Sequence, residues 1–219
     1  MSNITVTPIK ASLATQTEPP ETDFSVTDRA YASSTPIVLT IAGSDSGGGA
    51  GIQADIKAIS ATGGYACSVI TAITAQNTLG VSAIFPIPLE YVEKQLDAVF
   101  TDLNVVAVKV GMLAESGIIN LVAAKIKQYQ PAFLVVDPVM VATSGDLLLE
   151  VSAISTLKTE LLPLADIITP NLSEGAALIG VDTPDNEADM LEMITGLRQL
   201  GAATILLKGV HLEQDENSN

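Results

Sequence analysis

The chain has 219 residues, 47% of them hydrophobic, and a formal net charge of −15, which fits one sizeable α/β domain with its own core. The acidic balance excludes a basic patch for a nucleic-acid backbone, and no apolar run reaches the length of a membrane span. One cysteine, Cys67, and one histidine, His211, exclude an intrachain disulfide and the Cys- and His-rich metal sites, so a reducing, cytoplasmic setting is expected.

Residues 1–34 are rich in Ser, Thr and Pro and carry Pro19-Pro20 without any apolar period, so a disordered tail is expected there, with no signal or transit peptide. A single domain over 35–219 is expected to follow. Its β-type runs are Ile37–Ala42, Ala66–Ile73, Val81–Phe85, Val105–Val110, Phe133–Asp137, Asp166–Thr169 and Thr204–Lys208. Helical patterns fall between them at Ile52–Thr62, Leu89–Thr101, Ser116–Tyr129, Val151–Leu162, Ser173–Ile179 and Glu187–Leu200. This alternation predicts a mostly parallel sheet with helices on both faces and ligands at the carboxyl ends of the strands. Glycine and polar residues cluster at those ends.

The densest cluster is Gly43 to Gly51, where five of nine residues are glycine. A strand-to-helix turn whose backbone must approach a ligand needs such a run, because glycine removes the Cβ and permits positive φ. The loose dinucleotide pattern Gly49-x-Gly51-x-x-Ala54 is present, but the next strand ends in Thr74-Ala75-Gln76-Asn77 without the acid that would hold a ribose. No Lys-Ser or Lys-Thr follows the glycines, so the Walker pattern fails too. Gln76 is either an amide that reads the edge of a nitrogen heterocycle or an ordinary turn residue. Asp137, ending a buried strand, is either a metal or phosphate-side ligand or a cap. Asn171 and Glu174 have the spacing of a capping box, and the same oxygens could hold a hydrated Mg²⁺. Lys208 ends the last strand. Lys109 lies inside an apolar run and needs a partner if buried. Cys67 and His211 read as structural.

Taken together, these motifs resemble the hydroxymethylpyrimidine/phosphomethylpyrimidine kinases of thiamine biosynthesis. The resemblance is carried by Ala42-Gly43-Ser44-Asp45-Ser46-Gly47-Gly48-Gly49-Ala50-Gly51-Ile52-Gln53-Ala54-Asp55, then Ala75-Gln76-Asn77-Thr78, Val108-Lys109-Val110-Gly111-Met112-Leu113, Asp137-Pro138-Val139-Met140, Pro170-Asn171-Leu172-x-Glu174 and Leu207-Lys208-Gly209. It implies a three-layer α/β/α ribokinase-like sandwich and ATP- and Mg²⁺-dependent phosphorylation of 4-amino-5-hydroxymethyl-2-methylpyrimidine and its monophosphate. By position it places Ala50, Asp55, Gln76, Met112 and Val139 around the pyrimidine, with Gly43, Asp45 and Gly49 in the floor of the pocket. Asp137 and Glu174 would serve Mg²⁺ and phosphate, and Asn171 and Lys208 the nucleotide phosphates. Two departures stand out. Ala142-Thr143-Ser144-Gly145 replaces the family's Ala-Lys-Ser-Gly, and no Gly-Thr-Gly-Cys catalytic loop occurs before Asn219. A C-terminally incomplete fold and impaired turnover are therefore expected, and no catalytic residue is assigned. A pyridoxal kinase-like enzyme, a non-catalytic pyrimidine-binding paralogue and a homodimeric state are left open.

Overall fold

Thr40, in the first strand, has neighbours on both sides that are equally buried. Leu39, Thr40, Ile41 and Ala42 are all fully inaccessible, so both faces of the sheet are covered and the architecture has three layers. The computed structural model describes residues 35–140 and 151–209. The expectations for residues 1–34, for Ala142–Gly145 and for His211 lie outside the described residues.

The elements alternate as the sequence predicts: β1 (Ile37–Asp45), α1 (Gly51–Ala61), β2 (Tyr65–Asn77), β3 (Gly80–Pro86), α2 (Leu89–Asp102), β4 (Val105–Val110), α3 (Ser116–Tyr129), β5 (Phe133–Val136), α4 (Val151–Thr156), β6 (Ile167–Ile168), α5 (Leu172–Ile179), α6 (Glu187–Arg198) and β7 (Thr204–Ile205). After α4 the chain winds through a π turn, Leu157–Leu161, and a 3-10 turn, Leu162–Leu164, that contains Pro163. The sheet order is β3-β2-β1-β4-β5-β6-β7, with every pair parallel except β2 and β3.

Several boundaries differ from the sequence reading: the helix expected over Val151–Leu162 is α-helical only to Thr156, and the strands expected over Asp166–Thr169 and Thr204–Lys208 shorten to Ile167–Ile168 and Thr204–Ile205; two further differences bear on the site. β1 continues through Gly43 and Ser44 to Asp45, with a register shift between Ala42 and Ser44, so the glycine run begins inside the strand. β2 runs on to Asn77 because it forms a hairpin with β3, and Gln76 pairs with Val81. The apolar alternation that marks a core strand stops earlier, since this stretch is an outer hairpin and not core.

The topology fixes where a ligand can bind. From β1 the chain goes one way to β2 and β3, then returns to place β4 on β1's other side. The carboxyl ends of β1 and β4 therefore splay their connections to opposite faces and leave a crevice between them. The glycines 47–51 follow β1, and Gly111-Met112 follows β4.

Gly51 opens α1 at φ +56, and a Cβ there would collide with the Gly43 carbonyl oxygen. Both the left-handed backbone and the close approach require glycine. Gly51→Ala is expected to cost about 2–4 kcal/mol of stability, read from the denaturation midpoint, combining the left-handed penalty with overpacking against backbone.

Candidate functional site

The glycine loop is organised from within. Asp45, 6% exposed, accepts from the Gly47 N–H through Oδ1 (2.8 Å) and from the Gly49 and Ala50 N–H groups through Oδ2 (2.9 and 2.8 Å). Its own carbonyl accepts from the Gly48 N–H at 3.0 Å. Ala50 is the N-cap of α1 and its side chain has no capping atom, so Asp45 supplies from upstream what a capping side chain would. Gln53 completes the turn, accepting from the Asp45 N–H at 2.8 Å and donating to Ser44 Oγ at 2.7 Å. Lys57 reaches back from α1 to the Gly48 carbonyl at 2.7 Å.

This loop floors a cavity of about 520 Å³. All eight residues expected at the substrate end line it: Gly43, Asp45, Gly49, Ala50, Asp55, Gln76, Met112 and Val139. Gly43 is needed here for space, since a Cβ would stand 2.8 Å from Met112 Cε. Ser46 ties the loop to β2, its Oγ donating to the Gln76 carbonyl (2.6 Å) and accepting from the Gln76 N–H (2.9 Å). Thr74 Oγ1 lies 3.0 Å from the Ser44 carbonyl and 3.2 Å from Gln76 Oε1, so its single proton is shared between these two acceptors. Thr78 and Leu79, at the tip of the β2–β3 hairpin, form the outer wall, and Leu79 is 89% exposed.

Asp137 also lines the cavity, whereas Asn171, Glu174 and Lys208 do not. They connect to it through Asp137. Lys208 Nζ and Thr169 Oγ1 each donate to Asp137 Oδ1 at 2.9 Å. The backbone bridge between Asn171 and Lys208 holds this strand end beside the start of α5. Asn171 and Glu174 do form the capping box, with the Asn171 N–H donating to Glu174 Oε2 and the Glu174 N–H to Asn171 Oδ1, both at 2.8 Å. The capping role and proximity to Asp137 coexist. Burial pushes the Glu174 carboxyl above its usual value; the Asp137 charge adds to this, while the Asn171 N–H and Lys208 oppose it. Among the described residues no group of three or more His, Cys, Asp or Glu side chains could hold a metal by itself.

Sequence reasoning missed Thr40, Gln53, Lys57 and Thr169. Gln53 lies in the quoted glycine run without a role assigned to it there, and each of the four matters for the atom it touches. It left Lys109 in need of a partner, and the structure supplies Asp55 at 2.9 Å. Among the described residues no helix is long and apolar enough to cross a membrane.

Two outcomes follow from these contacts. Asp45→Ala removes the acceptor of three loop N–H groups and is expected to cost about 2–3 kcal/mol, measured by urea denaturation. Glu174 has a raised carboxyl in the folded state, so its contribution to stability is full below the ordinary carboxylate range and is lost as pH rises through the elevated value. Glu174→Gln keeps the capping acceptor, and its melting temperature is expected to lose that part of the pH dependence.

Comparison with known proteins agrees with this geometry. The family described as "Phosphomethylpyrimidine kinase" matches residues 45–219. The hydroxymethylpyrimidine/phosphomethylpyrimidine kinase of Escherichia coli K12 is 49% identical over 179 residues, covering 82% of this chain and 67% of that protein. The crystal structure of phosphomethylpyrimidine kinase from Clostridium difficile 630 superposes with a TM-score of 0.76 at 48% identity, covering 83% of this chain and 78% of the other. The pyridoxal kinase of Staphylococcus aureus in complex with ADP gives a TM-score of 0.75 at 34% identity, covering 83% and 66%. These are ribokinase-like folds, as the sheet order here is. The matched stretch runs from inside the glycine loop past Lys208, taking in both ends of the site, and by it the chain belongs to the phosphomethylpyrimidine kinase family.

Proposed function

We propose that the chain phosphorylates 4-amino-5-hydroxymethyl-2-methylpyrimidine and its monophosphate, with ATP as donor, in thiamine biosynthesis. The observation that carries this reading is one cavity with two chemically distinct ends. At the inner end lie Gly43, Met112, Gln76 and Asp55: a flat apolar contact together with amide and carboxylate groups for a ring edge. At the outer end, Asp137 joins the cavity to Lys208 and, through the strand ends, to Asn171 and Glu174. About 520 Å³ suits a monocyclic ring with a phosphate. Family membership supports the reaction, and the higher identity to pyrimidine kinases than to the pyridoxal kinase favours the pyrimidine.

In this reading the protein works by placement and charge. The Gln76 amide, with Oε1 beside the Thr74 hydroxyl, offers its N–H groups to a ring nitrogen. Met112 packs on the ring face through the gap that Gly43 leaves. Lys208 brings a positive charge to the phosphate end and is held by Asp137 until phosphates compete for it. Asp137 and Glu174 would hold Mg²⁺, which neutralises phosphate charge when bound.

The test separates binding from transfer. Calorimetry with the pyrimidine should show binding, weakened about 10–100-fold by Gln76→Ala. Lys208→Met should leave that affinity within about threefold while lowering phosphate transfer from ATP by tenfold or more, read by phosphorus NMR. Tighter binding of pyridoxal than of the pyrimidine would overturn the substrate assignment. Pyrimidine binding without any transfer by the 219-residue chain would leave the binding site standing and remove the kinase step.

A further inference from the structure

Two residues to which the reaction outlined above gives no role, Thr40 and Lys109, converge on the cavity-lining Asp55. Thr40 and Lys109 are paired across β1 and β4, so their side chains leave the same face of the sheet side by side. Asp55, on α1, meets both. Thr40 Oγ1 donates to Asp55 Oδ2 at 2.6 Å, and Lys109 Nζ donates to the same oxygen at 2.9 Å. Among the described residues Asp55 Oδ1 makes no hydrogen bond. Thr40 is fully buried, the Lys109 and Asp55 side chains are 26% and 17% exposed, and both of the latter line the cavity.

The arrangement is built for the lysine. A Cβ on Gly111 would stand 2.9 Å from Lys109 Nζ and 3.1 Å from Ala42 Cβ, so the glycine leaves the ammonium its place. The ammonium and the carboxylate are only partly exposed, and the pairing offsets the water each has lost. A neutral donor and a charged donor converging on one oxygen also fix the carboxylate's rotation, because turning it would break both bonds. The other oxygen is then an acceptor of fixed direction at the wall of the cavity.

We infer that Thr40 and Lys109 are positioning residues for ring selection: by pinning Asp55 Oδ2 they present Oδ1 to an exocyclic amino group, so the site prefers an amino-substituted ring over the same ring without it. The inference rests on the pyrimidine reading given under Proposed function. A site that spends a fixed acceptor on a substrate N–H discriminates against the analogue that lacks it, since the acceptor is then left unpaired.

The experiment measures two affinities by calorimetry, for 4-amino-5-hydroxymethyl-2-methylpyrimidine and for 5-hydroxymethyl-2-methylpyrimidine, and takes their ratio. The unsubstituted chain is expected to favour the amino compound by about tenfold or more. Lys109→Met should shrink that ratio about fivefold while changing the affinity for the desamino ring by less than about threefold. Lys109→Arg should restore most of the ratio, and Thr40→Val, nearly isosteric in a buried position, should lower it in the same direction. A merely structural lysine would weaken both ligands alike, and that result, or a ratio unchanged within twofold, overturns the inference. If Lys109→Met shows no cooperative thermal transition, Thr40→Val and Lys109→Arg decide the matter by the same ratio. Equal affinity of the unsubstituted chain for both rings overturns this inference alone, whereas no binding of either overturns the pyrimidine reading with it.

Discussion

The carboxylate of Asp45 takes three backbone N–H groups of the loop that follows it, and the geometry of the site depends on that. It folds Gly47 to Ala50 back over the end of β1 and starts α1 without a capping side chain. It also changes what the loop can do. A glycine-rich strand-to-helix turn is ordinarily a place for an external anion, because its N–H groups are free and the helix dipole adds to them. Here an internal anion already satisfies Gly47, Gly49 and Ala50. The loop is therefore a compact, internally satisfied floor of the cavity, and in the reading proposed above the anionic part of a ligand would turn to Lys208, beyond Asp137.

The order of elements and the location of the site were legible in the sequence, for physical reasons. Buried parallel strands such as Val105–Val110 read as continuous β-branched runs, and a strand-to-helix turn dense in glycine has few structural alternatives. The boundaries of β1 and β2 were not legible. Gly43 reads as the end of a strand, yet β1 absorbs it through a shift in register. Gln76 reads as a loop residue, yet hairpin pairing with β3 holds it in a strand. Partnerships were legible only where charge demanded one. Lys109 in an apolar run requires a counter-charge, but nothing in the spacing names Asp55, 54 positions earlier. Asp45 was expected at the substrate end; it lines the cavity, and its oxygens serve the loop.

Asp137 is the joint between the two halves of the site. Its backbone N–H is held by the Val110 carbonyl at 2.8 Å, which ties the end of β5 to the end of β4 beside Met112. Its side chain faces Lys208 and Thr169 from strands further along the sheet. One residue therefore links the end of β4, beside Met112, to Lys208 through short, directional bonds. Chemistry that works by placement benefits from such a link, because a small displacement at one end is transmitted to the other and not absorbed.

The hairpin tip has a thermodynamic consequence. Leu79 is almost fully exposed, yet it stands at the cavity wall together with Thr78. In the reading proposed above, a ring bound in this cavity would take apolar surface of its own and of the cavity walls out of water in one event. Burial of that kind lowers the heat capacity of the complex. Association would therefore grow more exothermic with rising temperature, with a slope that reports how much apolar surface the cavity buries.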